Sequence, residues 1–403
     1  MRCPRSIKRS RSLSASVLPL LAAPLAAQGP AFDSPGQSKY STLGQTTRFS
    51  TEFNPALGLA LDMLADWTDV HDGDDGFDLS VRLLELNAAA YVDPSVWAYA
   101  SIVAEDLEEL AVEEAAAEYI GLESNSTFKA GRFFVDFGKQ MQLHPEELRT
   151  LERPLPLREF LGDELAGTGL QWDTWTPVGD ATVVRFSAGA FASLLGEGHA
   201  DEDEEDAEPE GSVPDRKDFD ELSFTARVTG MRDVGEQGVL QLGASARVVP
   251  SFAFAFGPLE EEDLSNVVYG GDLTYGWKNE TGERGLTFGG EVLLFTGDLA
   301  AEVDDPLAPA VLSVVDDDAL GFFVFGDYGW TRFDSAGVQY GFAELPEDPS
   351  EDGGELDLYY TRHFTEFRRL RFGVTLSDGL EDDARAYVQF TTFFGSHAHA
   401  QNW

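Results

Sequence analysis

Three groups of side chains in this 403-residue sequence could do chemistry: histidines beside acidic runs, arginines in one proline-bearing stretch, and charges at alternate positions of apolar runs. Hard oxygen ligands cluster at His71, Asp72, Asp74 and Asp75, and again at His199, Asp201 and the acids that follow to Asp206. Carboxylates of this kind suit a weakly bound divalent cation. Neither cluster has EF-hand spacing, and zinc sites usually need two or three fixed nitrogen or sulfur ligands. Solvated loop charge is the simpler reading of both, as it is for His397 and His399, and no cofactor is expected. Enzyme motifs are missing: there is no Gly-x-Ser-x-Gly elbow, and His144-Pro145-Glu146-Glu147-Leu148 lacks the second histidine of a zinc protease helix.

The arginines Arg149, Arg153 and Arg158 stand with Pro154 and Pro156 in the segment 138–164. Folded into a lumen, this segment would narrow a pore and put guanidinium groups in the path of a solute. Held at a rim, it would pair its arginines with Glu146, Glu147, Glu152 and Glu159. Sequence leaves both directions open. Strand parity adds Arg185, Arg227, Arg247, Arg371 and Arg385 to the same interior face as Asp272, Glu291, Asp327 and Asp357. Such a mixed ring either sets ion preference or fills the interior with salt bridges.

These charges need strands to hold them. From about Pro55 onward the chain divides into runs of roughly ten residues with period-two alternation, the pattern of transmembrane β-strands. Val267, Tyr269, Gly271, Leu273, Tyr275 and Trp277 share one face, while Gly270, Asp272, Thr274, Gly276 and Lys278 share the other. Leu240, Leu242, Ala244, Ala246 and Val248 alternate in the same way with Gln241, Gly243, Ser245 and Arg247. Tyr275, Trp277, Tyr328 and Trp330 fall at strand ends, where membrane barrels carry aromatic girdles. About sixteen such runs can be counted, within a range of about 14–18. The fold class expected is all-β, a transmembrane antiparallel up-and-down barrel without a plug domain.

The connections sort into two sides. Tight turns at Asp93-Pro94, Pro177 to Asp180, Asp233 to Gly238, Asn279 to Arg284 and Asp334-Ser335 alternate with long acidic stretches at 71–76, 138–164, 195–220, 251–264, 298–318 and 344–355. Outer-membrane barrels place short turns toward the periplasm and long loops outside. The short connection at 105–108 departs from this rule.

The head of the chain carries Arg2, Arg5, Lys8, Arg9 and Arg11, then an apolar run from Val17 to Ala27, the layout of a cleaved secretory signal. The expected organisation is a signal peptide at 1–27, a periplasmic segment at 28–54 and the barrel at 55–403. Removing the signal also removes the single cysteine, Cys3, and leaves 23 basic residues against 72 acidic ones, moving the formal charge from −44 to −49. That charge argues against a nucleic-acid partner. No apolar run after the signal is long enough for a membrane helix.

The block from Phe128 to Lys139, followed by Leu143 to Leu148 and Arg153 to Gly162, resembles a group of porin-like outer-membrane proteins, some labelled zinc-regulated, TonB-dependent outer-membrane receptors. A weaker similarity, to phosphate-selective porins, rests on the same strand-then-loop order. The receptor label would imply a plug domain inside a barrel of about twenty-two strands. Residues 28–54 are too few for one, so a plug-free channel is the expectation. It would be an outer-membrane porin for passive diffusion of small hydrophilic solutes, cation-preferring through its acidic outer loops. Metal binding or uptake, with zinc as the metal, and a structural barrel with a blocked lumen are the alternatives. Lipid, small solutes or ions and barrel-assembly machinery are the expected partners. Porins are often homotrimers, but no interface is legible in the sequence.

Overall fold

The computed structural model describes residues 56–70, 76–107, 110–122, 125–194, 219–256, 259–303, 311–345, 352–379 and 383–395. Sixteen strands follow in chain order. The first eight are β1 Ala56–Val70, β2 Gly76–Asp93, β3 Val96–Glu105, β4 Leu110–Tyr119, β5 Ser126–Phe134, β6 Ala166–Val178, β7 Thr182–Phe191 and β8 Ser223–Val234. The remainder are β9 Gly238–Phe256, β10 Leu259–Lys278, β11 Gly285–Val303, β12 Val311–Gly329, β13 Asp334–Glu344, β14 Asp352–Thr365, β15 Arg368–Asp378 and β16 Asp383–Gly395.

Each strand pairs antiparallel with its sequence neighbours, and β1 closes on β16 with Gly58 opposite Gly395 and Asp69 opposite Ala384. Closure leaves no unpaired edge, the condition for a sheet to stand in hydrocarbon. Among the described residues no helix is long and apolar enough to cross a membrane, and no plug domain is present.

Alternation predicts the two faces correctly. Tyr269, Leu273, Leu294, Val324 and Leu358 are exposed on the outer surface, while Arg227, Asp272, Asp357 and Gln389 are buried inside. Rings gather at the rim of short turns: Tyr275 lies 5.2 Å from Phe288, and Trp330 stacks on Tyr360 at 5.9 Å. An apolar band bounded by such rings is the surface a lipid interface selects.

Two sequence expectations need correction. The stretches 251–264 and 298–318 are not long loops, because β9 and β10 pair up to Phe256 opposite Leu259, and β11 and β12 up to Val303 opposite Val311. Charge suggested loops there. An antiparallel ladder can nevertheless continue beyond the apolar band, where water solvates charges on both faces of a hairpin.

Candidate functional site

The segment between β5 and β6 turns inward into the bore. It leaves the wall where Val135 donates its N–H to the Leu165 carbonyl at 2.9 Å. Gly138 makes the bend with φ of 54°, and a Cβ at that position would collide with the Glu291 carboxylate. A short 3-10 turn at Pro145–Glu147 and helix α1, Leu155–Leu161, follow before the chain rejoins the wall. Proline near the start of each costs nothing, since the first N–H groups of a helical turn have no internal partner.

Apolar packing holds the segment from one side. Phe137, Met141, Leu157, Phe160 and Leu161 form a buried cluster with the wall residues Val268, Leu293, Phe295, Phe323 and Phe325. These wall residues point inward from β10, β11 and β12, where water alone would have favoured polar side chains. Part of the interior is therefore a protein core.

Polar contacts fix the rest. Glu291 accepts the N–H groups of Lys139 and Gln140 at 2.6 and 3.0 Å, and Ser245 accepts that of Gly138 at 3.1 Å. Asp136 takes the Ser187 hydroxyl at 2.5 Å and pairs with Arg185 at 2.7 Å. Arg149 donates to Asp327 at 2.8 Å over the Phe325 ring, and Arg158 reaches Glu355 at 2.7 Å. Burial works against the charge of Arg158, yet the Glu355 and Glu152 carboxylates raise its pKa above the usual arginine range. Burial, with Arg227 close by, lowers the Lys139 ammonium to about 8.

An irregular backbone inside a barrel leaves carbonyls to be satisfied. Arginines of the wall do this work. Arg371 donates to the carbonyls of Leu148 and Thr150 at 2.6 and 2.9 Å, Arg82 to those of Leu151 and Pro145 at 3.2 and 3.3 Å, and Arg369 to that of Glu146. Arg385 joins Asp66 at 2.6 Å to Glu152 at 2.8 Å. With Gln339 of β13 donating to Thr150 at 3.2 Å, the segment is held by β2, β4, β7, β8, β9 and β11 through β16. It spans the bore and does not lie against a single wall.

With that geometry in view, the resemblance to known structures is informative. The fold is porin-like. An anion-selective porin from Comamonas acidovorans matches with a TM-score of 0.53 at 11% identity, over 85% of this chain and 99% of that one. The outer-membrane channel DcaP of Acinetobacter baumannii matches with 0.53 at 12%, over 85% and 97%. OmpF of Salmonella typhi, solved with daunomycin, matches with 0.51 at 9%, over 84% and 97%. No family model matches the chain, and no curated protein matches it.

The residues singled out by sequence fall into three sets. Arg149 and Arg158 bridge the segment to the wall acids Asp327 and Glu355, whereas Arg153 donates to the segment's own Gln140 and Leu143 carbonyls at 2.9 and 2.7 Å. Arg185 and Arg227 share Asp136, Arg227 pairs with Asp272 at 2.7 Å, and Glu291 takes segment N–H groups beside them, whereas Asp327 takes Arg149 and the Tyr359 hydroxyl. Arg247 lies apart, donating to the Leu194 carbonyl at 2.9 Å and to Asn266 at 2.7 Å, and Asp357 takes the Thr375 hydroxyl at 2.8 Å. His71, Asp72, Asp74, Asp75, His199, Asp201, His397 and His399 lie outside the described residues.

Sequence missed a fourth set. His144 comes down between Glu85 of β2 and Glu113 and Glu114 of β4, all of them buried. Burial disfavours its imidazolium, but hydrogen bonds to Glu113 and Glu114 raise its pKa well above the usual histidine value. Parity could not place two consecutive glutamates on one face; a β-bulge does. Glu114 is opposite Ser101 and Val112 opposite Ile102, so Glu113 is the extra residue.

Proposed function

We propose that the chain is a porin-type channel of a Gram-negative-type outer membrane, passing only small hydrophilic solutes because the segment 138–164 narrows its bore. One observation carries the reading: a closed sixteen-strand barrel is crossed by an infolded segment that polar side chains hold on every side. A barrel of this size otherwise leaves an aqueous lumen. The exposed apolar band with its aromatic rim supports insertion into lipid.

Inside, apart from the glutamates about His144, arginines and carboxylates pair with each other, so this part of the interior carries little uncompensated charge for selectivity. The excess acid, −44 overall, is what would draw cations to the mouth. Porins often form trimers, and a homotrimer is part of the proposal.

Planar bilayers test it. The intact protein should give small conductance steps, and deletion of 138–164 should enlarge them. A correctly inserted protein that stays silent after the deletion refutes the channel; silence only before it marks a lumen blocked by the segment. Reversal potentials in a salt gradient test cation preference, and an anion preference overturns that part.

A second reading, metal binding or uptake, is favoured by one observation: the lodging of His144 among buried glutamates.

A further inference from the structure

His144 presents its two ring nitrogens to different surroundings. Nδ1 lies 3.0 Å from Glu113 Oε2 and 3.7 Å from Glu85 Oε1, and one ligand atom from each of the three residues lies within 4.8 Å of the other two. Nε2 faces Glu114 Oε2 at 3.2 Å. The other oxygen of Glu114 is fixed by the Phe134 N–H at 3.1 Å and the Tyr99 hydroxyl at 3.3 Å. A histidine whose outer nitrogen donates to a fixed carboxylate while the inner one joins further carboxylates has the layout of a metal-bound imidazole with its supporting shell.

Charge points the same way. Glu85, Glu113, Glu114 and Glu146 are each no more than 4% exposed and are gathered about one imidazole, with Arg369 acting on Glu146 through space. Lys129 acts on Glu114, and Arg153 on Glu113 and Glu146, through space. Arg153 meanwhile directs its donors to backbone carbonyls. Ser101 Oγ stands 2.7 Å from Glu85 Oε1 and 2.9 Å from Glu113 Oε2, with one hydrogen for two acceptors. Carboxylates gathered at this density out of water form a site that a shared cation or proton would stabilise.

Size and ligand type narrow the choice. Ligand atoms bound at about 2.1 Å to one ion stand roughly 3.0–3.4 Å apart at tetrahedral or octahedral angles, close to the spacings about Nδ1. Calcium wants longer bonds and six or more oxygens. Mixed imidazole and carboxylate ligands suit first-row ions.

We propose that Glu85, Glu113 and His144 bind one first-row divalent cation that clamps the infolded segment to β2 and β4. The bulge at Glu113 is then the backbone device that supplies the second carboxylate. The site deepens the metal-binding reading and is independent of whether the lumen conducts.

The test uses the full chain, stripped with chelator during refolding into detergent and titrated calorimetrically with zinc, manganese and calcium chlorides. One equivalent of zinc or manganese should bind, with calcium at least about 100-fold weaker. Glu113→Gln should lose the binding, and Glu114→Gln, which alters only the support of His144, should weaken it about 10–100-fold. Metal uptake that is equal for calcium, or unaffected by Glu113→Gln, overturns the site and assigns the binding to acidic loops. If Glu113→Gln fails to show heat-modifiable mobility, pulsed electron paramagnetic resonance of the manganese-loaded wild type decides. Coupling to one histidine nitrogen supports the site, and oxygen-only ligation overturns it. Absence of metal binding in a protein that conducts defeats this inference and leaves the channel standing; a silent protein that binds zinc does the opposite.

Discussion

Arg371→Met is the sharpest single perturbation of the infolded segment. The guanidinium satisfies the carbonyls of Leu148 and Thr150 at 2.6 and 2.9 Å, and methionine keeps most of the stem while removing every donor. Two buried carbonyls would lose their partners, at about 1–3 kcal/mol each. The variant also removes a buried cation and relieves its desolvation, so the working figure is the lower end, about 2 kcal/mol. Since 1.4 kcal/mol is a tenfold change, the undocked population of the segment should rise by about thirtyfold. Local openings of this kind span energies from near zero to the global stability. Single-channel recording would read them as bursts of larger conductance superimposed on the wild-type level, and limited proteolysis as faster cleavage within 138–164. Arg247→Met is the matched control. Arg247 is equally buried and donates to Leu194 O and Asn266 but makes neither hydrogen bond to the segment, while Arg371 adds wall hydrogen bonds to Gln389 and Thr361 to its two on the segment. Should Arg371→Met leave both conductance and cleavage at the level of that control, the segment is not held by its capped carbonyls and the reasoning fails.

Gly138→Ala forces a left-handed φ of 54° on a residue with a Cβ and drives that atom against Glu291, so roughly 1–3 kcal/mol of docking energy should be lost. Faster cleavage of the segment with an intact barrel is the expected result, and unchanged protection contradicts it. Lys139 gives a pH signature. Burial first, then the nearby Arg227, lower its folded pKa to about 8 against the pull of Asp272, Asp136 and Glu291, while the unfolded amine titrates near 10.4. Below about 8 the amine is charged in both states and the full penalty applies; between about 8 and 10.4 the unfolded chain holds more protons, so wild-type stability rises. Lys139→Met should therefore be more stable than wild type at pH 7, by up to about 3 kcal/mol, with the advantage gone by about pH 10.5. Denaturant unfolding at several pH values measures it, and a gap that does not change with pH counts against the assignment.

The barrel was legible because lipid imposes one rule on every strand. Tyr269, Leu273 and Leu294 had to face out, and Asp272 and Arg227 in, whatever the loops do. The site was legible only in part. Arg149 and Arg158 stood out as cations in a long segment, but their partners Asp327 and Glu355 are 178 and 197 residues away in sequence, a distance no local pattern encodes. Glu113 was hidden for a different reason: a one-residue bulge inverts parity beyond it, and alternation alone reads Glu113 and Glu114 as lying on opposite faces. Residues 251–264 and 298–318 read as loops because their charge mimics irregularity, whereas the backbone ladder continues.

The direction of the infolded segment nevertheless leaves a trace in the wall. A strand between lipid and water needs apolar side chains on one face only, yet β11 runs Val292, Leu293, Leu294, Phe295, with Leu293 and Phe295 buried inside while Val292 and Leu294 are exposed outside. On β12, Phe323 and Phe325 point inward beside the outward Val324. Apolar residues on an inner face would be unfavourable against water, at about 25 cal/mol for each Å² left wet. They make physical sense only if protein covers them. Phe160 of α1 does so, its ring 6.1 Å from that of Phe295, and Phe137 and Met141 belong to the same buried cluster. Two-faced apolar character such as that of β11 and β12, beside a long segment with its own apolar positions, is therefore the sequence signature of a segment folded into the bore. It separates this barrel from one whose inner wall is wet throughout. It also predicts that replacing Leu293 and Phe295 with serine frees the segment while leaving the lipid-facing surface, and thus insertion, unchanged. Loss of insertion together with docking would show instead that the interior core is needed to build the barrel itself.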